Sequence, residues 1–516
     1  MLMISRCTIA LLLAFPLAVA GCGTAPGVTD PDSGAPCGDP SSCGGDAVPE
    51  SVCLEQLAKA QVIDGCGVFV NGLFFGGDDA NPGTKDRPVL SLQRGIELAR
   101  TGRGRVFVIS DTYADSITLP SGVDIYGGFQ PLEWERLPGD TTKIGPRYGK
   151  LIALTIEPAS TGDTGAADGI STIERVSVLG PMHIAMLVRS GTAVEFVDGK
   201  LRASYGLGGP DGEEWSGLNH APDGAHGMYG GDACSAATVA GGPAVVNPCE
   251  GGIPSSGGKG GDGLAEGAGD GEDGDPVPTP NPDHSGQGGR GNRADGGCDS
   301  GFPGISGMWG SVGVPGEGIG RITETGWEGD WAAAGSPGTP GQGGGGGGGR
   351  RGGLAVCGVA SRGGAGGGSG GAGGCGGRGG RGGGNAQPSI GIVALHAKLT
   401  VRNSLIKTSD AGQGGDGGPP EEGGEGGRGA PGGAVGDGTW SCGGGNGGRG
   451  GDGGYGGPGR GGDSIGIAYL DEDQLTLEGV TYELGPPGKG GTSWDWSGEE
   501  THGEDGIAVE TLRFPE

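Results

Sequence analysis

Ser389-Ile390-Gly391-Ile392 leads to Leu399-Thr400-Val401-Arg402-Asn403 and ends at Asp410-Ala411-Gly412, and this stretch recurs along the chain. Ser464-Ile465-Gly466-Ile467 leads in the same way to Leu475-Thr476-Leu477-Glu478-Gly479 and ends at Pro486-Pro487-Gly488. Upstream, Ile184-Ala185-Met186-Leu187 leads to Ala193-Val194-Glu195-Phe196 and ends at Ser204-Tyr205-Gly206, and Gly506-Ile507-Ala508-Val509 opens a fourth unit at the C-terminus. Each unit reads as about two short strands. Such a unit is too small to bury its own apolar face, so units must stack, one per turn of a coil. Glycine-rich sequence fills 206–388, 412–463 and 488–505, always after the same point in the unit. Insertions at equivalent points leave a coil from one edge and lie above one another, which predicts a lateral glycine-rich body beside the coil.

The region ahead of these units supplies the start of the coil. Val68-Phe69-Val70 reads as a strand and Asp78-Asp79-Ala80-Asn81-Pro82-Gly83-Thr84 as a turn-rich loop. Between Ser91 and Arg100, Leu92, Ile96 and Ala99 fall on one face of a short helix. Val106-Phe107-Val108-Ile109 reads as a buried strand. Tyr113, Ile117, Leu119, Val123, Ile125 and Tyr126 follow at strand-like spacing until Gly127-Gly128 breaks the run before Phe129.

This order of motifs over roughly residues 67–205 resembles the start of pectin-lyase-like proteins, in particular an uncharacterised extracellular domain at their N-terminal end. The resemblance implies an all-β fold, a right-handed parallel β-helix, with the Leu92 helix capping its open end. For activity it is nearly silent, because this fold hosts lyases, hydrolases, adhesins and scaffolds alike.

Glycine accounts for 133 of 516 residues, against roughly 7% in average proteins, and hydrophobic residues for only 33%. The texture is Gly-Gly-X, as in Gly447-Gly448-Arg449-Gly450-Gly451-Asp452, and not the strict Gly-X-Y of collagen. Such sequence suits packed extended helices of the polyglycine II kind, whose amides bond between neighbouring segments. Disorder is the competing expectation, because glycine loses most backbone entropy on ordering. The composition also resembles glycine-rich PGRS-type surface proteins. A formal charge of −29 argues against nucleic acid as a partner.

The first residues point to export. Arg6 precedes an apolar run from Ile9 to Ala20 that is too short to span a bilayer, so residues 1–21 read as a signal peptide. Leu17-Ala18-Val19-Ala20-Gly21-Cys22 resembles the lipobox of bacterial lipoproteins, which implies lipidation of Cys22 and anchoring to a membrane. By the same resemblance, Gly23 after the cysteine implies outer-membrane or cell-surface placement. Residues 22–50 read as a tether, and 51–205 as the cap and first rungs. Residues 389–411 read as one rung and 464–516 as the last rungs with a short glycine-rich loop. Besides Cys7 and Cys22 there are ten cysteines, an even count suited to up to five disulfides in an oxidising compartment. The first four are expected to pair among themselves, and the six in glycine-rich sequence to pin segments that lack a core.

Few residues suggest chemistry. Gly257-Gly258-Lys259-Gly260-Gly261-Asp262-Gly263-Leu264-Ala265 fits a calcium-binding nonapeptide, with Asp262 as ligand, but such motifs work only in tandem. His220, Asp223 and His226 offer a weak metal set whose spacing fits no helix-borne site. Asp78-Asp79 and His502-Gly503 resemble elements of polygalacturonases, yet the first precedes the capping helix and the second lies at the C-terminus without companions. Arg402 and Glu478 are expected to point outward from their strands. No catalytic residues converge, since acid–base chemistry needs paired groups at equivalent positions. Seven of the eight tryptophans (215, 309, 327, 331, 440, 494 and 496) lie in the inserts. Exposed, they would stack on sugars; buried, they would anchor loops, and burial is the expectation for so large an apolar group. The sequence thus predicts a non-enzymatic surface lipoprotein for envelope structure, adhesion or binding of polysaccharide or other surface polymers. A polysaccharide lyase or hydrolase on the same coil is the alternative, and a calcium-dependent matrix protein the third.

Overall fold

The structure is a computed structural model that describes residues 48–516 except 73–74, 147–150, 161–168, 216–219, 251, 292–296 and 437. The expected signal segment, Cys22, Cys37, Cys43 and all of the expected tether before Val48 lie outside the described residues.

Three parallel sheets form a right-handed β-helix, and from Arg105–Ile109 onward the chain visits them in rotation. Sheet 1 runs from Val68–Val70 through Arg105–Ile109, Asp124–Phe129, Ile170–Glu174, Ala193–Val197 and Lys398–Arg402 to Leu475–Glu478. Sheet 2 begins at Thr112–Tyr113 and ends at Thr481–Glu483, and sheet 3 begins at Ile117–Pro120 and ends at Ala508–Arg513. A turn therefore holds three strands where the sequence suggests about two. The additional strands, such as Leu405–Lys407, are short and show no readable period. Gly127-Gly128 does not end its strand either: Asp124–Phe129 runs through the pair, with a register shift against Phe107–Ile109. Gly128 sits at φ +79°, a conformation that a side chain would strain.

Register fixes the core. Leu154, Met186, Ile392 and Ile467 stack from turn to turn in sheet 3. Ile173, Phe196 and Val401 do so in sheet 1, and Ile144, Val178, Leu201 and Ile406 in sheet 2. All are buried in one continuous interior. The long insertion after Arg202 leaves this register intact, since Ile184 pairs with Ile390 across it.

Two helices close the N-terminal end. Helix α1 (Glu50–Ala58) begins inside the expected tether and is stapled to the chain by Cys53–Cys66. Its weak amphipathic pattern gave no signal. Helix α2 (Leu92–Arg100) starts at Ser91, whose hydroxyl accepts the Arg94 amide, and buries Leu92, Ile96 and Ala99 as expected. Gly95 lets it approach the first strand, because an added Cβ would lie 2.4 Å from Val70 Cγ2. Gln93 then pairs with both backbone groups of Thr118: its Oε1 accepts the amide and its Nε2 donates to the carbonyl. Thr118 lies on the first strand of sheet 3, so the helix caps that open edge.

The inserts leave from one corner, between sheets 2 and 3. They form an ordered lattice with the three-residue hydrogen-bond repeat of polyglycine II. In the central segment, 365–387, Gly370 donates to Gly258, Gly371 to Gly445 and Ala372 to Ala225, so three successive amides reach three different neighbours. Gly344, Gly345 and Gly346 likewise donate to Gly371, Phe302 and Glu272. The number of glycines per triplet follows the number of packed faces. All seven residues of 343–349 are buried glycine, 443–457 keeps Gly-Gly-X, and the edge segment 301–316 keeps glycine only at every third position. The lattice is registered by the coil: Gly412 donates to Gln387, Gly462 to Gly412, Gly488 to Gly462 and Gly506 to Gly488, one step per turn.

Disulfides Cys234–Cys357, Cys249–Cys375 and Cys298–Cys442 cross-link the lattice, the last joining the first insert to the second. The four disulfides among the described residues place folding in an oxidising compartment, outside the cytoplasm. Among the described residues no helix is long and apolar enough to cross a membrane. The hairpin of Arg321–Thr323 and Gly326–Glu328 folds back from the first insert, and Ile322 and Trp327 cover the outer face of sheet 3 at Ile184, Leu187, Ile390 and Val393.

Candidate functional site

Side chains leave the lattice only where a segment lacks a neighbour. On the edge segment 301–316, the glycines face inward: Gly307, Gly310 and Gly313 donate to the carbonyls of Arg449, Asp452 and Tyr455. Thr339 and Ser336 bond the other flank, each with its amide on a carbonyl (Met308, Ser311) and its hydroxyl on the matching amide. Two rows of side chains are thereby turned outward at third-residue spacing. One carries Phe302, Ile305, Met308 and Val314, all exposed, with Met308 at 73%. It borders an open groove of about 460 Å³, walled by Ile253, Val277, Pro278, Pro337 and Pro340.

The second row centres on Trp309, which is 60% exposed. Its ring packs 5.5 Å from Trp496, and Trp496 packs 5.5 Å from Tyr455. Trp496 donates its indole N–H to the carbonyl of Gly310 at 3.3 Å. It is held on a turn in which Asp495 accepts from the Ser497 amide and hydroxyl and from the Glu499 amide. Those bonds, led by the Ser497 hydroxyl, keep the Asp495 carboxyl below its ordinary range. The result is a fixed aromatic platform flanked by apolar side chains, suited to stacking on the C–H faces of rings.

The expectation that the insert tryptophans are buried is overturned for Trp309, Trp331, Trp440 and Trp494, exposed by 60, 62, 56 and 42%. The lattice explains this. Its segments approach within backbone contact, so no interior space admits an indole. Trp327 packs on the coil instead, and Trp215 lies beneath the guanidinium groups of Arg378 and Arg381 at 4.5 and 5.1 Å.

The metal candidates have structural duties. The Asp223 carboxylate accepts the Glu425 amide, and His226 Nδ1 accepts the Arg428 amide. His220 Nδ1 lies 3.7 Å from Asp223 Oδ1. Asp262 accepts the Gly241 amide and pairs with Lys259 at 3.1 Å; burial pushes its pKa up, but these partners outweigh it and leave the carboxyl below its ordinary range. Asp452, Asn446 and Asp211 do the same work, accepting the amides of Gly423, Gly429 and Asp416. The only sequence signal for this use of acidic and amide side chains at lattice-edge amides is an acceptor at third-residue spacing. On the coil, Asp79 accepts the Leu90 and Ser91 amides, and Asp78 the Ala80 amide. Arg402 points outward as expected and binds Glu478 at 3.0 Å and Glu195 at 3.3 Å. His502 lies on a hairpin beside Glu500.

No protein-family model, no curated protein and no solved structure matches this chain. Its chemistry is therefore read from the geometry alone.

Proposed function

We propose that the chain is a non-enzymatic, lipid-anchored surface protein whose glycine lattice serves as a rigid platform for contact with polysaccharide or other surface polymers. The observation that carries this reading is the outward face of 301–316, with exposed apolar and aromatic rows fixed on a hydrogen-bonded support. Large exposed apolar patches mark contact sites, and rigidity lowers the entropy lost on binding. The carboxylates of the coil's outer face support the same reading, because Glu174, Glu195 and Glu478 are each paired with an arginine. Anchoring through Cys22 and residence at the outer membrane or cell surface complete the proposal.

The test is to incubate the purified full chain with neutral and acidic polysaccharides, measuring both retention and product. Retention without new reducing ends or unsaturated products is expected. Steady release of either product would make the protein a hydrolase or lyase and overturn the proposal.

A further inference from the structure

Residues 301–316 carry no charged side chain, although the chain as a whole bears −29. The opposite lattice edge, around 205–232, carries Asp211, Glu213, Asp223 and Asp232. Edges with unpaired backbone are ordinarily guarded by charge, and this one is neutral. Along it, the amides and carbonyls of Ser306, Trp309 and Val312 form no hydrogen bond within the described residues. Three residues of such a helix advance about 9 Å, so these peptide groups form an evenly spaced polar line beside the indole of Trp309.

A further peptide segment cannot join the lattice here. Lattice neighbours come so close that a Cβ added at Gly310 would lie 2.0 Å from the Ser336 carbonyl oxygen. On the free face, Trp309 and Val312 already carry side chains where a joining segment would need hydrogen. A polymer of hydroxylated rings meets no such obstacle, since one ring lies flat on the indole while hydroxyls on its neighbours reach the free peptide groups. Acidic polymers are disfavoured by the charge of the chain. From this juxtaposition we infer that the Trp309 face of segment 301–316 binds a neutral glycan chain. The inference rests on the polymer-contact reading above and names its ligand class and its central residue.

The test titrates the full chain with cello-oligosaccharides, a soluble neutral β-glucan and polygalacturonate, reading tryptophan fluorescence and retention in affinity gels. Binding of a neutral probe is expected, weakened about tenfold or more by Trp309→Ala, largely kept by Trp309→Phe and unchanged by Trp440→Ala. Trp440 is also exposed but sits a dozen residues back along the neighbouring segment, past the end of the track. Circular dichroism of Trp309→Ala should match the parent, because the ring's contact with Trp496 lies at the surface and the backbone bonds of Gly307, Gly310 and Gly313 hold the segment without it. Equal binding by Trp309→Ala and parent, or binding of polygalacturonate alone, would overturn the inference and leave polymer contact standing. Retention of neither class of polymer would sink both.

Discussion

At the scale of single residues, the lattice makes glycine a packing requirement. A Cβ at Gly370 would lie 1.8 Å from the carbonyl oxygen of Gly344, in backbone that cannot swing aside. Gly370→Ala is expected to destabilise the lattice by about 3 kcal/mol, the upper end of ordinary overpacking. Gly267→Ala meets nothing within 4 Å and should stay within about 0.5 kcal/mol of the parent. Hydrogen exchange across 343–372 compares the two, and equal protection in both variants would count against close packing. Two buried groups in the coil set a second test. Burial raises the Asp124 carboxyl to about 6, although the Thr172 amide and Arg105 favour its charge. The folded chain thus holds that proton more tightly, and the contribution is lost as pH rises from about 4 to 6. Burial lowers His183 to about 4, so its contribution is present above about pH 6.5 and is lost as pH falls towards 4. The two slopes oppose over one window. Asp124→Asn should therefore make stability fall more steeply on acidification, and His183→Gln should reverse that slope, as read from denaturant midpoints at pH 4.5 and 6.5. An unaltered pH slope in both variants would remove these groups from the account.

At the scale of elements, the cap is the most exposed dependency of the coil. Gln93 satisfies both backbone groups of Thr118, which would otherwise face outward on the first strand of sheet 3. Gln93→Leu should cost about 2 kcal/mol through the two unmet groups and promote association through the bared edge. A thermal melt paired with light scattering checks both effects, and a stable monomeric variant would show that the helix covers the edge by bulk alone. This helix was legible in the sequence because Leu92, Ile96 and Ala99 recur at helical spacing. The repeat opening at Ser389 and Ser464 was legible too, because inward columns such as Met186, Ile392 and Ile467 impose the same apolar type at each turn. The short strands of sheet 2 were not, since spans such as Leu405–Lys407 are too brief to display a period of two. The lattice was legible as polyglycine II from its triplets, but its outward face was not. Whether Trp309 points into a body or away from it depends on which segments become its neighbours, and local spacing does not encode that choice.

At the scale of the molecule, coil and lattice are held by different forces. The coil buries continuous apolar columns, whereas the lattice has few apolar side chains and must order glycines, each of which loses about 1–2 kcal/mol of backbone entropy or more. Hydrogen bonds contribute about 1 kcal/mol apiece, which leaves little margin. The disulfides add to that margin by restricting the unfolded chain. Those at Cys234–Cys357, Cys249–Cys375 and Cys298–Cys442 span 123, 126 and 144 residues, and closing a loop of roughly 100 residues is worth about 4.7 kcal/mol in the chain-entropy view. The oxidised chain should accordingly show strong amide protection through both bodies. Reduction should remove protection across 241–263, 332–350 and 365–387 while the strands Arg105–Ile109 and Ile184–Val188 stay protected. The hairpin bearing Ile322 and Trp327 marks the boundary, because its anchorage lies on the coil and its covalent neighbours lie in the lattice. If it remains protected after reduction, packing on sheet 3 outlasts the lattice from which it emerges. Full protection of the lattice without its disulfides would instead mean that interlocked polyglycine amides suffice, and the cross-links would then act in folding and not in the folded state.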